Sequence, residues 1–247
     1  MNFITDTHTH SISSGHAYSS IEEMAKVARE KNFKMLFITD HGPKLPGAST
    51  IIHFRNLKVI MRYINGVRVV GGVEANIIDY NGKIDIDERT CKRLEYIIAS
   101  FHNICIKTGD VKEHTNAALN AIKNPYIDVI GHPGNPEFQV DIEKLVLACK
   151  DLNKPVEINN HSFKARKGSY NNCMMFLELC KKYEVNIVCG SDAHLSYEVG
   201  TFNRIEEMLK RIDFPEDLIL NSSIEKISKY LEERHQRIKK LKGDGVD

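Results

Sequence analysis

The feature that most constrains the fold of this chain is a series of seven short runs rich in β-branched residues, most of them separated by segments with helical periodicity. The runs cover residues 3–9, 35–40, 68–74, 96–101, 127–131, 155–160 and 186–190. Their starts lie about thirty residues apart, the length of one strand-crossover-strand unit. This alternation predicts an α/β fold with a parallel sheet. Seven repeats favour a distorted seven-stranded (β/α)7 barrel of the TIM type, with a doubly wound open sheet as the alternative.

Local signals place several of the connecting elements. Ser20 and Glu23 have the spacing of a capping box and predict the start of a helix. Asp141 stands where the N-cap of a later helix is expected. Residues 78–84 alternate in polarity around an Asn-Gly pair, which predicts a hairpin. A last helix is expected around residues 224–231.

The length of the chain, and the lack of a charge run that would divide it, favour one domain over residues 1–247. This domain is predicted to end in a polar tail over about residues 234–247. The basic residues of that tail are predicted to form a solvated helix end. They are Arg234, Arg237, Lys239, Lys240 and Lys242.

A net charge of +1 argues against a nucleic-acid partner. No run is apolar enough to span a bilayer, and no signal peptide is evident, so a cytoplasmic protein is expected. The six cysteines contain no CxxC pair and are predicted to be buried free thiols.

Metal-binding side chains stand at the carboxyl ends of six of the seven predicted strands. They are His8 and His10 after the first strand, with His16 in the loop beyond, His41 after the second, Glu74 in the third, His102 after the fourth, His132 after the fifth, and Asp192 and His194 after the seventh. Residues i and i+2 of a strand point to the same side, so His8 and His10 should converge on one centre. With His161 after the sixth predicted strand, eight of the eleven histidines lie at this rim, and imidazoles mixed with carboxylates are typical of zinc, manganese or iron sites.

Four short motifs contain most of these residues. They read Thr-His-Thr-His at residues 7–10, Thr-Asp-His-Gly at 39–42, Gly-His-Pro at 131–133 and Gly-Ser-Asp-Ala-His at 190–194. With these motifs the chain resembles the PHP (polymerase and histidinol phosphatase) family from its first predicted strand to its last. Glu-Ile-Asn-Asn at 157–160 and Ala-Arg-Lys-Gly-Ser at 165–169 make it most similar to the YcdX-type phosphatases. The resemblance implies a distorted seven-stranded barrel with three zinc ions.

The resemblance also implies how the ligands divide among the three ions. His8, His10, Glu74 and Asp192 would surround the first ion; Glu74 would bridge to a second, completed by His102 and His132; His16, His41 and His194 would hold the third. Manganese or iron would accept the same ligands as zinc. The chain departs from the family pattern at His161, which follows the sixth predicted strand and is a weaker candidate for substrate contact.

The expected chemistry is hydrolysis of a small phosphate monoester by a metal-activated water. Three divalent ions and two carboxylates leave a formal charge of about +4, which favours a compact anionic substrate group. Asp6 and Asp40 precede ligand histidines and are candidates for orienting a histidine ring or transferring protons, although both could simply form strand-end turns. Arg166 is the best candidate for binding the phosphate, with Lys44 weaker.

Other interpretations use the same ligands. An amidohydrolase needs a bridging lysine at the end of the fourth strand, where this chain has His102. A phosphodiesterase or exonuclease is the stronger alternative, but no aromatic platform for a nucleic-acid strand is evident. A non-catalytic metal-binding module is the third alternative interpretation. His53, His114 and His235 are predicted to lie outside the chemistry.

Overall fold

Each of the seven predicted runs contains a strand in the computed structural model, which describes residues 2–243. The strands are β1 Thr5–Asp6, β2 Met35–Ile38, β3 Tyr63–Ile64, β4 Val67–Asn76, β5 Tyr96–Ser100, β6 Val129–Ile130, β7 Val156–Asn159 and β8 Ile187–Gly190. The short β3 is the addition, and it pairs with β4 in an antiparallel hairpin whose turn is Asn65-Gly66.

The parallel strands form two hydrogen-bonded groups. One sheet has the order β1-β2-β4-β5-β6, and β7 pairs with β8 separately. The pair reaches β1 just beyond the strand ends, where the His10 amide donates to the Ala193 carbonyl over 2.8 Å. Within the described residues no ladder joins β6 to β7, so the α/β parallel architecture is confirmed and closure into one seven-stranded barrel stays a prediction.

Helices follow most of the strands. They are α1 Ile21–Glu30, α2 Ile51–Asn56, α3 Glu88–Cys91, α4 Val111–Lys123, α5 Ile142–Asp151, α6 Ser162–Ala165, α7 Ser169–Tyr183, α8 Asn203–Arg211 and α9 Ile224–Gly243. The Ser20–Glu23 capping box and the Asp141 N-cap are both confirmed. The predicted hairpin is a turn closed by one bridge between Ile77 and Ile84. Among the described helices, none combines the length and the apolar character that a membrane span requires.

The core lies on both sides of the sheet because successive strand residues point in opposite directions. In β2, Leu36 and Ile38 pack into the large cluster that includes the outer helices. Met35 and Phe37 instead face inward, where they share a smaller cluster with Leu231 of α9. The described cysteines are free thiols, all buried except the partly exposed Cys105.

The C-terminal prediction needs a correction. Helix α9 continues to Gly243, past the point where a polar tail was expected to begin, and only residues 244–247 of that tail lie outside the described structure. Arg234 is buried rather than solvated, and its Nε donates to Asp128 over 2.6 Å. Arg237 binds the other oxygen of the same carboxylate at 3.1 Å. These arginines therefore fasten α9 to the segment before β6.

Candidate metal centre

The strand ends bring the nine predicted ligand residues into one cluster. The buried members are His8, His10, His41, Glu74, His132 and Asp192, while His16, His102 and His194 reach the cluster from more open positions. This gathering follows from topology, since the carboxyl ends of parallel strands meet at one edge.

Glu74 lies at the middle of the cluster and is fully buried. Its Oε1 is 2.9 Å from His132 Nε2, 3.4 Å from His102 Nε2 and 3.5 Å from His8 Nε2. Its Oε2 is 2.6 Å from His41 Nδ1. A carboxylate whose two oxygens face separate groups of imidazoles has the arrangement needed to bridge two cations.

Asp192 supplies the second carboxylate. Its Oδ1 lies 3.1 Å from His10 Nε2 and 3.7 Å from His8 Nε2. Beyond it, His194 Nε2 lies 3.1 Å from His16 Nε2. Because His194 Nδ1 donates to the Asp192 carbonyl at 2.9 Å, its Nε2 carries a lone pair directed at His16.

Several other ring nitrogens are fixed in the same way. His102 Nδ1 lies 2.7 Å from Asn76 Oδ1, and His10 Nδ1 lies 3.1 Å from Ser14 Oγ, which itself donates to Asp40. Each contact places the ring proton on Nδ1 and leaves the Nε2 lone pair facing the cluster. Converging lone pairs and carboxylate oxygens repel one another unless a cation lies between them.

Buried polar atoms at the centre also indicate that a cation belongs there. Glu74 Oε2, His41 Nδ1 and His102 Nε2 are buried and have no hydrogen bond of acceptable geometry within the described chain, although Glu74 Oε2 and His41 Nδ1 lie only 2.6 Å apart. Such atoms are costly to bury unpaired, and an ion or ordered water is the usual explanation. Three overlapping triads have ligand atoms within 4.8 Å of one another: His10, His41 and His194; His8, His10 and Glu74; His41, Glu74 and His102. Imidazole and carboxylate donors in these groups fit zinc, manganese or iron.

The triads differ in detail from the ligand division that the family resemblance implies. His41 was assigned with His16 and His194, but here it also contacts Glu74, and its ring centroid lies 4.2 Å from that of His10. His41 and His10 therefore lie between the predicted groups, which makes the centre continuous rather than three separate pockets.

Burial controls the protonation of the histidines. It lowers the pKa of His10 well below its usual range, helped by His41 and His194. It also lowers the pKa of His16 to about 4 and that of His132 to about 4, with Arg166 adding to the effect at His132. These rings are neutral near pH 7, as metal ligation requires.

The carboxylates and His8 behave differently. Burial alone would raise the pKa of Glu74 and Asp192, but the neighbouring histidines, His8 among them, hold both well below their usual range. Burial would lower the pKa of His8, yet Glu157, Glu74 and Asp192 raise it well above its usual range. The site thus keeps ionised carboxylates that attract positive charge to its centre.

Glu157 is a functional candidate that the sequence interpretation missed. Its Oε1 is 2.6 Å from His8 Nδ1, and its other carboxylate oxygen accepts a hydrogen bond from the His132 backbone amide. It therefore orients the His8 ring and also spans the gap between β6 and β7. The available signal was a charged residue inside a strand that is otherwise expected to be buried. Asn76 and Asn159 were missed too; Asn159 donates to Asp192 Oδ2 over 3.2 Å.

Asp40 reaches a predicted ligand ring through a serine hydroxyl. It accepts hydrogen bonds from the Ser11 amide at 2.7 Å and from Ser14 Oγ at 2.8 Å, and Ser14 in turn contacts His10. His53, expected to be incidental, lies with its Nε2 3.1 Å from Asp40 Oδ2. The chain of contacts therefore runs from a partly exposed histidine to a ligand ring.

Asp6 contacts backbone rather than histidine rings. Its oxygens accept from the amides of Ser191 at 3.0 Å, Gly200 at 2.8 Å and His8 at 3.4 Å. Burial raises its pKa above the usual value. These contacts fasten the loop that carries Asp192 to the end of β1.

Arg166 lies at the edge of the cluster. Its Nη1 is 3.6 Å from Asp192 Oδ2 and donates to Ser162 Oγ over 3.1 Å. The His161 ring centroid lies 5.8 Å from that of His194. Lys44 is exposed, and its backbone amide donates to Asp85 over 2.8 Å. His114 bonds the Gly109 amide, away from the centre.

Comparison with known proteins agrees with this arrangement. The model of the PHP domain matches residues 6–161. A protein named "probable phosphatase" from Acetivibrio thermocellus is 52% identical over 240 residues, covering 97% of this chain and all of that protein. Another protein of that name, from Caldicellulosiruptor bescii, is 48% identical over 242 residues and covers 98% of both chains.

Among solved structures, a histidinol phosphate phosphatase from Lactococcus lactis, complexed with zinc, L-histidinol and phosphate, has a similar fold. Its TM-score is 0.61 at 14% sequence identity, over 87% of this chain and 95% of that one. This likeness supports the fold, and the full-length relatives and the domain match establish the family. The chain therefore belongs to the PHP family, as its four motifs predict.

Proposed function

We propose that this protein is a phosphatase that hydrolyses a small phosphate monoester at a trinuclear metal centre. The observation that carries the proposal is the convergence of seven imidazoles on two buried carboxylates, with ring lone pairs and carboxylate oxygens directed at common points. The relatives named phosphatases over their full length support the reaction class. The zinc in the Lactococcus lactis phosphatase favours zinc over manganese or iron.

The metal ligands in this proposal are the nine residues of the cluster. They are His8, His10, His16, His41, Glu74, His102, His132, Asp192 and His194. When bound, the metal ions would supply the positive charge that attracts a phosphate group and the activation of the attacking water. Only two of the nine ligands are carboxylates, so a dianionic monoester suits the site better than a neutral amide.

The protein's other residues would orient the ligand rings and hold the substrate. Glu157, Asn76 and Ser14 fix the rings of His8, His102 and His10 through their Nδ1 atoms. Arg166 points its guanidinium at the edge of the centre, where it can exchange its 3.6 Å contact with Asp192 for a phosphate oxygen. His161, beside His194, is the neighbouring candidate for contact with the rest of the substrate.

The test is release of phosphate by protein loaded separately with zinc, manganese or iron. The panel contains p-nitrophenyl phosphate, L-histidinol phosphate and sugar phosphates as monoesters, and bis(p-nitrophenyl) phosphate as a diester. We expect turnover of monoesters and much slower turnover of the diester. Preferential diester cleavage would replace the proposal with a phosphodiesterase. Full metal loading with no hydrolysis of either class would point to a non-catalytic metal-binding protein.

A further inference from the structure

A large cavity lies at the opposite end of the strands from the metal centre. Its volume is about 1010 Å³, and its wall includes the start of β4, the segment before β5 and one side of α9. Arg68 lines it near the beginning of β4, and Glu74 stands six residues further along the same strand. At the rise of a β-strand this separation is about 20 Å, so the cavity is distinct from the metal centre.

The wall of this cavity is strongly basic. Among the described residues, eight lysines and arginines line it, against two carboxylates, Glu95 and Glu232. Some of these cations are neutralised from behind: Arg55 pairs with Asp87 at 2.8 Å and the buried Arg234 with Asp128 at 2.6 Å. The chain as a whole has 34 basic and 33 acidic residues, so the excess here is a local concentration of charge.

The cations at the mouth are the ones left without partners. Lys58, Arg62, Arg93 and Lys239 are exposed and form no ion pair with a described carboxylate. Deeper in the wall, Arg68 donates through Nη2 to Glu95 over 3.2 Å, whereas its Nε is buried and has no partner among residues 2–241. An anionic ligand would relieve the crowding of positive charge at the mouth.

The floor of the cavity is apolar. Phe54, Val69, Leu94 and Ile238 are buried hydrophobic residues that line it between the cations. A mixed wall of this kind suits a ligand that carries anionic groups on an apolar body, and the volume is that of a small-molecule site.

We propose that this cavity binds a small organic polyanion, a molecule with several phosphate or sulfonate-like groups on an apolar body. The anionic groups contact the unpaired cations at the mouth, and the body packs on the apolar floor. The site is separate from the phosphatase chemistry, and the proposal does not depend on the proposed function.

The probe is pyrene-1,3,6,8-tetrasulfonate, which is fluorescent, carries four negative charges on a flat apolar ring system and has no phosphate to hydrolyse. It is titrated into metal-loaded protein and followed by fluorescence anisotropy. The cavity variant is Arg62→Ala combined with Lys239→Ala. The matched control, Arg29→Ala combined with Lys210→Ala, also removes one arginine and one lysine, from exposed positions outside the cavity.

We expect one probe per chain, with affinity about tenfold weaker in the cavity variant, because two exposed charge contacts are lost. The control variant and His10→Ala should bind within about twofold of the natural sequence. A second cavity variant, Lys58→Ala with Arg93→Ala, should repeat the loss.

Three results would overturn the proposal. They are absence of saturable binding, equal weakening in the cavity and control variants, and loss of the probe in His10→Ala, which would place it at the metal centre. Tighter binding of duplex DNA or of a polyglutamate peptide than of the probe, sensitive to the same cavity residues, would replace the small polyanion with a macromolecular partner.

Discussion

The two ends of the strands bury charge in opposite ways. At the amino-terminal end, Asp128 is fully buried, but its oxygens receive Arg234, Arg237, the Tyr230 hydroxyl and the Ile97 amide. At the carboxyl end, Glu74 is equally buried and faces histidines that are mostly neutral. The protein thus supplies hydrogen-bond and ion-pair partners to both oxygens of Asp128, whereas it does not do so for Glu74.

The difference separates a structural charge from a functional one. A buried ion pair with every lone pair satisfied stabilises the connection between elements and needs nothing from outside. A buried carboxylate surrounded by ring lone pairs is stable only with added positive charge, which metal ions supply. The comparison therefore predicts that changes at Asp128 affect folding, while changes at Glu74 affect metal binding and catalysis.

The largest effect is expected from Glu74→Gln. This change keeps the size of the side chain and removes the charge that faces both groups of histidines. Phosphate release should fall by about a thousandfold and the metal content should drop, because the bridging carboxylate is lost. The exposed Glu178→Gln is the matched control and should behave like the natural sequence. Unchanged metal content and turnover in Glu74→Gln would break the comparison.

Asp128→Ala should produce the largest loss of stability. It leaves Arg234 buried without its carboxylate, and breaking a buried pair in this way costs about 3–5 kcal/mol. The measurement is urea unfolding of the metal-loaded protein, with Asp217→Ala at an exposed position as control. Metal content per folded chain should not change. A variant that folds normally but loses metal would contradict the division between the two ends.

Ser14→Ala sharpens the comparison within the metal centre. Removing the hydroxyl breaks the connection between Asp40 and His10 Nδ1. Loss of such an orienting contact typically lowers metal affinity by about ten- to a hundredfold. Competition with a chelator measures the change, and Ser13→Ala on the neighbouring residue is the control. Equal affinities in the two variants would show that the Asp40 contacts do not orient the ligand.

The smallest effect expected is a pH dependence in chelator-treated protein. The folded pKa of His132 is about 4, below the value of about 6.5 in an unfolded chain, so the unfolded state takes up protons first as the pH falls. The stability that neutral His132 contributes is complete above pH 6.5 and is lost towards pH 4. His8, with its raised pKa, acts in the opposite direction and reduces the net slope.

The difference between the natural sequence and His132→Gln isolates this contribution. Unfolding free energies measured between pH 7 and pH 4 should converge as the pH falls. Parallel curves would mean that His132 titrates normally in the folded protein, and the neutral state required of a ligand would lose its support.

Much of the fold could be predicted from sequence because the signals are local. Strand runs, the Ser20–Glu23 capping box and the Asp141 N-cap depend on neighbouring residues and are confirmed. The ligand cluster was also predictable, since strand polarity alone brings strand ends together. The prediction of a solvated polar tail from residue 234 was wrong. The burial of Arg234 in α9 depends on Asp128, which lies more than a hundred residues away in the chain.

The orienting residues could not be assigned from sequence for the same reason. Glu157 contacts His8 across 149 positions, and no local pattern indicates which carboxylate meets which ring. Asp6 and Asp40 each precede a predicted ligand histidine by one or two residues, yet Asp6 accepts hydrogen bonds from backbone amides, whereas Asp40 accepts them from serine hydroxyls as well as from an amide. That distinction depends on which loop packs over each strand end.

The most direct test of the account is to count and locate metal ions by anomalous X-ray scattering at the zinc edge from crystals of zinc-reconstituted protein. We expect three sites per chain: one near His8, His10 and Asp192, a second near Glu74, His102 and His132, and a third near His16, His41 and His194. Elemental analysis of the same sample should give the same count. A single site, or none, in protein that remains folded would contradict the trinuclear centre.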